Sequence, residues 1–468
     1  MKRTLLILSF ATLLLAGCRD HYTRPAVKPE DEGIGTLIRY GNVNSVIAYD
    51  KSTVELDVKA YKVNEMNHNT FSPEEDVTAP KAVSAGVVWY EEGFTVGSTT
   101  VSGGKLIVDG ISGFGNAVVG IYDESGRLLW SYLVWKPKDN PDECRRYATN
   151  GGCYVMPMAL GAMEYGRFND NGRITNLKET AGLFFQNNRK DPLGRPDLSN
   201  LDASKYVNAY RPDGSVINWN DDVASADNIL AGIKSDLIYK YQQLDPNISY
   251  REAVQAATDD MAEMDAKFMF PIIDFTIENP TTVVTSPVGC SFWYCQDSIY
   301  RCRHLWFETK TCYDPCPEGY MLPPATLFYG FLNKPITTIS EKEDGTESSD
   351  ALYAGGPHTG TINARDQEYS ITNIKGYDFF YYGSLDPTAL DYYPAAGYRD
   401  NASGILKGVG ADGWYGSFTQ YFSSTYGYIR LLHFSADTLQ VRYGYAPRAM
   451  SINVRCIKIT TFEDSSTD

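Results

Sequence analysis

The chain has 468 residues, 43% hydrophobic and 21% charged, with a formal net charge of −16. That length admits two or three domains with a sizeable core, and the composition is that of a folded protein. The acidic balance repels phosphate backbones and argues against nucleic acid as a partner, while 34 Tyr against 5 His indicate an extracytoplasmic, β-rich chain with few groups suited to proton transfer at neutral pH.

The N-terminal stretch 1–18 is a leader. Lys2-Arg3 is basic, Thr4 to Leu14 is an apolar run too short to span a bilayer comfortably, and Leu15-Ala16-Gly17-Cys18 places small residues before a cysteine. This resembles a bacterial lipobox, in which cleavage before Cys18 leaves a lipidated, palmitate-bearing N-terminus. Later runs fall short of the ~18–20 apolar residues of a membrane helix, so lipid at Cys18 is the expected anchor to the outer membrane. Residues 19–34 are polar, carry Pro25, Pro29 and Glu30-Asp31-Glu32, and read as a tether.

From 35 to 137 the period is two. Val54, Leu56 and Val58 alternate with Glu55, Asp57 and Lys59, and further strands are expected at Gly86 to Tyr90 and Lys105 to Val108. Ala117 to Tyr122 and Leu128 to Trp135, joined by Asp123-Glu124-Ser125-Gly126, form the clearest hairpin. Trp130 and Trp135 are expected in the core. Strands at this spacing predict a small β-sandwich. Pro137 and Pro141 then mark a boundary, after which a second domain runs from 138 to 458, followed by a tail, 459–468.

Within that second domain the polar string Gln186 to Asp191 is expected to satisfy buried backbone groups. The stretch 200–271 is a helical insertion. A helix is expected across Ala226 to Tyr241, and Ser249-Tyr250-Arg251-Glu252 is a capping box for another carrying Val254, Ala257, Met261, Met264 and Phe268 until Pro271. Cys312-Tyr313-Asp314-Pro315-Cys316-Pro317-Glu318-Gly319 is a rigid turn, because each proline fixes φ and bars helix before it. One of its cysteines and one near the chain end would staple the first and last parts of the domain, worth ~4–5 kcal/mol in the chain-entropy model.

Besides Cys18 the cysteines are Cys144, Cys153, Cys290, Cys295, Cys302, Cys312, Cys316 and Cys456, an even number that favours disulfides in an exported chain. The spacings of Cys290/Cys295 and Cys312/Cys316, with His304 alone nearby, do not suit zinc, so no metal or cofactor is expected.

Seven stretches carry a resemblance when taken in order. They are Leu128-Leu129-Trp130-Ser131, Met158-Ala159-Leu160-Gly161-Ala162, Gly182 to Pro192, Glu278-Asn279-Pro280-Thr281-Thr282, Tyr313 to Tyr320, Pro394-Ala395-Ala396-Gly397-Tyr398-Arg399 and Val454-Arg455-Cys456. The series, covering about 115 to 458, is similar to Bacteroidales fimbrillin-like surface lipoproteins with a C-terminal Fibrobacter succinogenes major paralogous domain. The resemblance implies an α+β, mostly β fold: the N-terminal sandwich followed by a C-type-lectin-like domain with the helical insertion. It also implies a Cys316–Cys456 disulfide joining the first and last strands of that domain, and a cell-surface role associated with fimbriae. The insertion near 200–270 and the cysteines between 290 and 312 depart from the family pattern. Met158-Ala159 replaces a charged run, and the calcium-binding tripeptides of sugar-binding lectins are absent from their expected place.

The leading functional expectation is a non-enzymatic, lipid-anchored surface protein, an adhesin or fimbria-associated subunit, with glycan or fimbrial subunits as partners. No nucleophile elbow, HExxH helix, phosphate loop or paired-carboxylate motif stands out. The alternative is a surface hydrolase on the same fold, whose carboxylate pair would assemble only in three dimensions. For glycan the expected platform is Tyr392, Tyr393, Trp414 and Tyr415, because an alternating strand exposes one of two adjacent rings, with Asp391, Arg399 and Asp412 supplying hydrogen bonds. Ser298 and Thr438 lie in Asp-Ser/Thr-hydrophobic triplets that resemble the O-glycosylation site of Bacteroidetes exported proteins.

Overall fold

A computed structural model of the chain describes residues 44–58, 82–147, 153–167, 169, 174–200, 205–266, 271–286, 306, 310–311, 313–331, 362–363, 376–380, 390–422, 427–435 and 439–459. The fold is mostly β with few helices. Its best local signal, the hairpin, pairs Gly115–Tyr122 with Leu128–Lys136. The turn closes because Asp123 Oδ1 accepts the backbone N–H of Ser125 (2.9 Å) and of Arg127 (3.0 Å), and because Gly126 takes φ +81°, open to glycine without cost. Trp130 and Trp135 are buried on this hairpin, as alternation with both sheet faces covered requires.

Ser84–Glu91 pairs antiparallel with Gly115–Tyr122 of the hairpin, and two shorter strands come from distant sequence. Ser45–Ile47 runs parallel to Leu128–Lys136, and Ala209–Tyr210 pairs antiparallel with Ser84–Glu91, giving a five-stranded sheet. Thr53–Asp57, Lys105–Asp109 and Ser98–Ser102 form a three-stranded sheet in which Val54, Leu56, Leu106 and Val108 are buried. Strand Leu128–Lys136 ends at the expected boundary, yet packing continues across it. The Trp135 indole donates to the Ala162 carbonyl (2.7 Å), Asn116 to that of Gly161 (2.8 Å), and one hydrophobic cluster runs from Ala48 to Cys456.

The helical stretch forms as expected. Ala226–Leu244 starts at Ser225, whose side chain accepts the Asn228 N–H. Tyr250–Ala266 starts with the complete capping box: Ser249 Oγ accepts the Glu252 N–H at 3.3 Å and Glu252 Oε2 accepts the Ser249 N–H at 3.0 Å. Ala253 and Ala257 are fully buried. The proline expected to end this helix opens another, Pro271–Glu278, since at a first helical turn its missing N–H is not needed.

The seven-stranded sheet runs Leu406–Lys407, Tyr398–Arg399, Ser451–Val454, Gly413–Phe422, Gly427–Phe434 and Leu439–Pro447, with Phe184–Gln186 also pairing Ser451–Val454. The proline turn docks beside it. Asp314 accepts from the Cys316 N–H (2.8 Å), the Leu322 N–H (3.0 Å) and Lys310 Nζ (3.1 Å), while Asn44 and Ser45 donate to the carbonyls of Asp314 and Pro315. Cys316 is bonded to Cys456, with Cα atoms 5.9 Å apart and a sequence separation of 140. Cys316 lies in the turn itself, not in the domain's first strand. That turn leads into Tyr320–Met321, which pairs with Ile457–Lys458. The even cysteine count does not resolve into pairs throughout: Cys144 and Cys153 are free and half-buried, and burial pushes the Cys153 thiol up to about 11. Cys290, Cys295, Cys302 and Cys312 lie outside the described residues.

Candidate ligand-binding surface

Strand Leu390–Pro394 pairs with Gly376–Phe380, and Asp391, Tyr392 and Tyr393 on it are all buried, as are Arg399 and Tyr415 on the seven-stranded sheet. These five residues do not form a surface platform. The physical reason is that both faces of the strands are covered, so alternation sends adjacent rings into two cores instead of one core and water. Asp391 and Tyr393 instead belong to a polar network around Arg455, while the Tyr415 hydroxyl donates to the Pro394 carbonyl at 2.8 Å. Arg455 Nη2 donates to Asp391 Oδ1 at 2.7 Å and to the Pro157 carbonyl, Nε to the Met156 carbonyl at 2.8 Å, and Nη1 to the Tyr392 carbonyl at 3.2 Å.

Tyr147 completes this network. Its hydroxyl donates to Asp391 Oδ2 (2.8 Å) and lies 2.8 Å from the Tyr393 hydroxyl. The guanidinium of Arg455 covers the Tyr393 ring at 4.1 Å, and the Tyr415 ring meets Tyr393 edge-on at 4.9 Å. Burial pushes the Tyr393 hydroxyl up to about 12, against the nearby Arg455 charge. A carboxylate held by an arginine and a tyrosine has a partner on each oxygen, and its burial closes it to a ligand from solvent.

Trp414 and Asp412 differ. Both are only partly buried, and the structure groups them with two residues not singled out from the sequence, Tyr398 and His433. Trp414 and His433 face each other across the hairpin of Gly413–Phe422 and Gly427–Phe434, and their rings stack at 3.7 Å and 19°. Tyr398 meets the indole edge-on at 5.4 Å. His433 Nε2 is 3.4 Å from Asp412 Oδ1, and Nδ1 is 3.2 Å from Gln440 Oε1. The indole N–H of Trp414 has no partner among the described residues.

Beside the aromatic group, Lys407 Nζ bonds Asp400 Oδ2 at 2.8 Å. Burial opposes ionisation of Asp400, but the Lys407 and Ser403 hydrogen bonds outweigh it and bring this carboxyl down to about 2. An aromatic face with an imidazole, two carboxylates and an ammonium at its rim can stack on an apolar ring face and hydrogen-bond hydroxyls. Tyr398 was legible as the alternation partner of Arg399. His433 needed the hairpin register, which local spacing does not supply.

The other polar string is structural. Gln186 donates to the carbonyls of Val284 (2.6 Å) and Ala449 (2.7 Å), Arg189 to those of Thr282 (2.6 Å) and Pro280 (2.6 Å), and Asn188 Oδ1 accepts the Trp306 N–H at 2.7 Å. Lys190, Asp191 and Ser131 form a closed buried triad, each contact 2.6 Å, with the ammonium 4.4 Å from the Trp130 ring centre. Cys18, Ser298 and Thr438 lie outside the described residues. Among those described, no three metal-ligating side chains converge, and no helix is long and apolar enough to cross a membrane. Family models, curated proteins and solved structures gave no match to this chain.

Proposed function

We propose that the protein is a non-enzymatic surface lipoprotein, anchored to the outer membrane through Cys18, that acts as an adhesin or fimbria-associated subunit and recognises glycan around Trp414. On this reading the N-terminal strands are a small β-sandwich and the remainder a C-type-lectin-like domain with a helical insertion. The mostly β architecture and the Cys316–Cys456 bond support it. The observation that carries the glycan reading is the partly exposed Trp414 ring, stacked on His433 and edged by Tyr398, with Asp412 and Lys407 close by. Sugars bind such groups by laying C–H faces on aromatic rings while polar groups at the rim orient the hydroxyls.

The test is a glycan array probed with the soluble chain beginning after Cys18. Binding by the wild type and its loss in Trp414→Ala, with the melting curve kept close to wild type, is expected. A wild type that binds no glycan, or a Trp414→Ala protein that binds as well, removes the reading. For the anchor, Cys18→Ala should release the protein from the membrane fraction; retention after a salt wash would place the anchor elsewhere.

A further inference from the structure

Arg399 is fully buried, and burial lowers its guanidinium despite the Tyr206 hydroxyl and the Asp222 carboxylate acting the other way. Its Nε donates to the Gly404 carbonyl at 2.9 Å, its Nη2 donates to the Trp219 carbonyl, and the Tyr206 ring centre is 5.7 Å from the guanidinium carbon. Nη1 has no partner. Ser451, the register partner of Arg399 on the neighbouring strand, is also fully buried, and its hydroxyl has no partner either. Directly paired residues of antiparallel strands project to the same face with Cβ atoms about 4.5–5.5 Å apart, so both side chains rise from one buried face of the sheet.

Two buried guanidiniums, Arg399 and Arg189, act on each other here, with the Asp222 carboxylate acting on both. Gln186 pairs with Ser451 from the other side, and its amide is fully used by Val284, Ala449 and Arg189. Arg189 is itself buried and held by backbone carbonyls. Burial first, and the Arg399 charge in addition, push its guanidinium down to about 10 despite Asp191 and Asp222. Asp222 is already engaged by the hydroxyls of Thr281 and Thr282, each at 2.7 Å. Buried cations are retained where something negative is close, and an orphan buried N–H costs free energy comparable to a lost hydrogen bond.

We infer that Arg399 Nη1 and Ser451 Oγ bind a small monovalent anion of chloride size inside the sheet. Two donors in a row of fully buried residues suit a one-atom ion; an oxyanion would bring three or four acceptor oxygens that this row does not satisfy. The site shares the strand Tyr398–Arg399 with the surface around Trp414 but uses the alternate side chain, and it would act as a structural ion, tying that strand to the closing strand Ser451–Val454.

Thermal unfolding of the full chain in sodium chloride against sodium gluconate at equal ionic strength tests this. Above the dissociation constant, Tm is expected to rise roughly 1–2 °C for each tenfold increase in chloride and to stay flat in gluconate. Ser451→Ala, which removes one buried hydroxyl, should weaken chloride affinity several-fold. In crystals grown from sodium bromide an anomalous peak is expected between Nη1 and Oγ, in contact with both. Equal Tm in the two salts, an unchanged chloride dependence in Ser451→Ala, or a water in place of the bromide peak would each overturn the inference.

Discussion

Tyr415 and Trp414 are neighbours on one strand, and they meet opposite environments. Tyr415 is fully buried among Tyr393, Phe434 and Arg455, whereas Trp414 lies on the other side of the sheet, partly open and stacked on His433. The difference shows how little a cluster of aromatic residues says about ligand binding until the layers covering a sheet are known. Where both faces are covered, alternation divides side chains between two cores, and exposure is decided at the end of the sheet. The polar groups divide the same way. Asp391 is closed around Arg455, while Asp412 keeps a loose contact to His433 at 3.4 Å.

The buried half can be broken most severely at its arginine. Arg455→Ala leaves the Asp391 carboxylate buried with its main cation gone, and a loss of about 3–5 kcal/mol in denaturant unfolding is expected. Reduction of the Cys316–Cys456 bond, or Cys316→Ala with Cys456→Ala, is expected to cost about 2–5 kcal/mol, since the bond closes a long loop; an unchanged midpoint would mean the bond does not form in solution.

Titration sharpens the contrast at both pH extremes. Tyr393 has a folded value raised to about 12, so its contribution is complete below the unfolded value near 10 and is lost as pH rises through 12. Asp400, beside the Trp414 surface, is depressed to about 2. Its contribution is present above the unfolded value near 4 and is lost as pH falls toward 2. Asp400→Asn should therefore cost a small amount at pH 5, about 0.5–1 kcal/mol because Lys407 is about half exposed, and the difference should disappear as pH falls through 2. Unfolding midpoints measured for the wild type and Asp400→Asn across these ranges would check both signs.

Much of the fold was legible locally. The hairpin at Asp123, the capping box at Ser249 and the apolar alternation of Val54 and Leu56 each carry their cause within a few residues, and each forms as read. The pairing of Ser45–Ile47 with Leu128–Lys136, and of Ala209–Tyr210 with Ser84–Glu91, was not legible, because short strands added from far along the chain leave no periodic trace. The same limit governs the candidate site. Trp414 and Asp412 could be named from composition, but Asp391 and Arg399 carry the same chemistry and are buried by strands distant in sequence. Their fate is set by tertiary covering, which adjacency does not encode.

The most direct measurement is paired denaturant unfolding of Trp414→Ala and Tyr415→Ala. Tyr415→Ala, a truncation in the core, is expected to lose about 3–5 kcal/mol, and Trp414→Ala less than about 2 kcal/mol. Losses of equal, large size would place Trp414 in the core with its neighbour and contradict a binding surface at that end of the sheet.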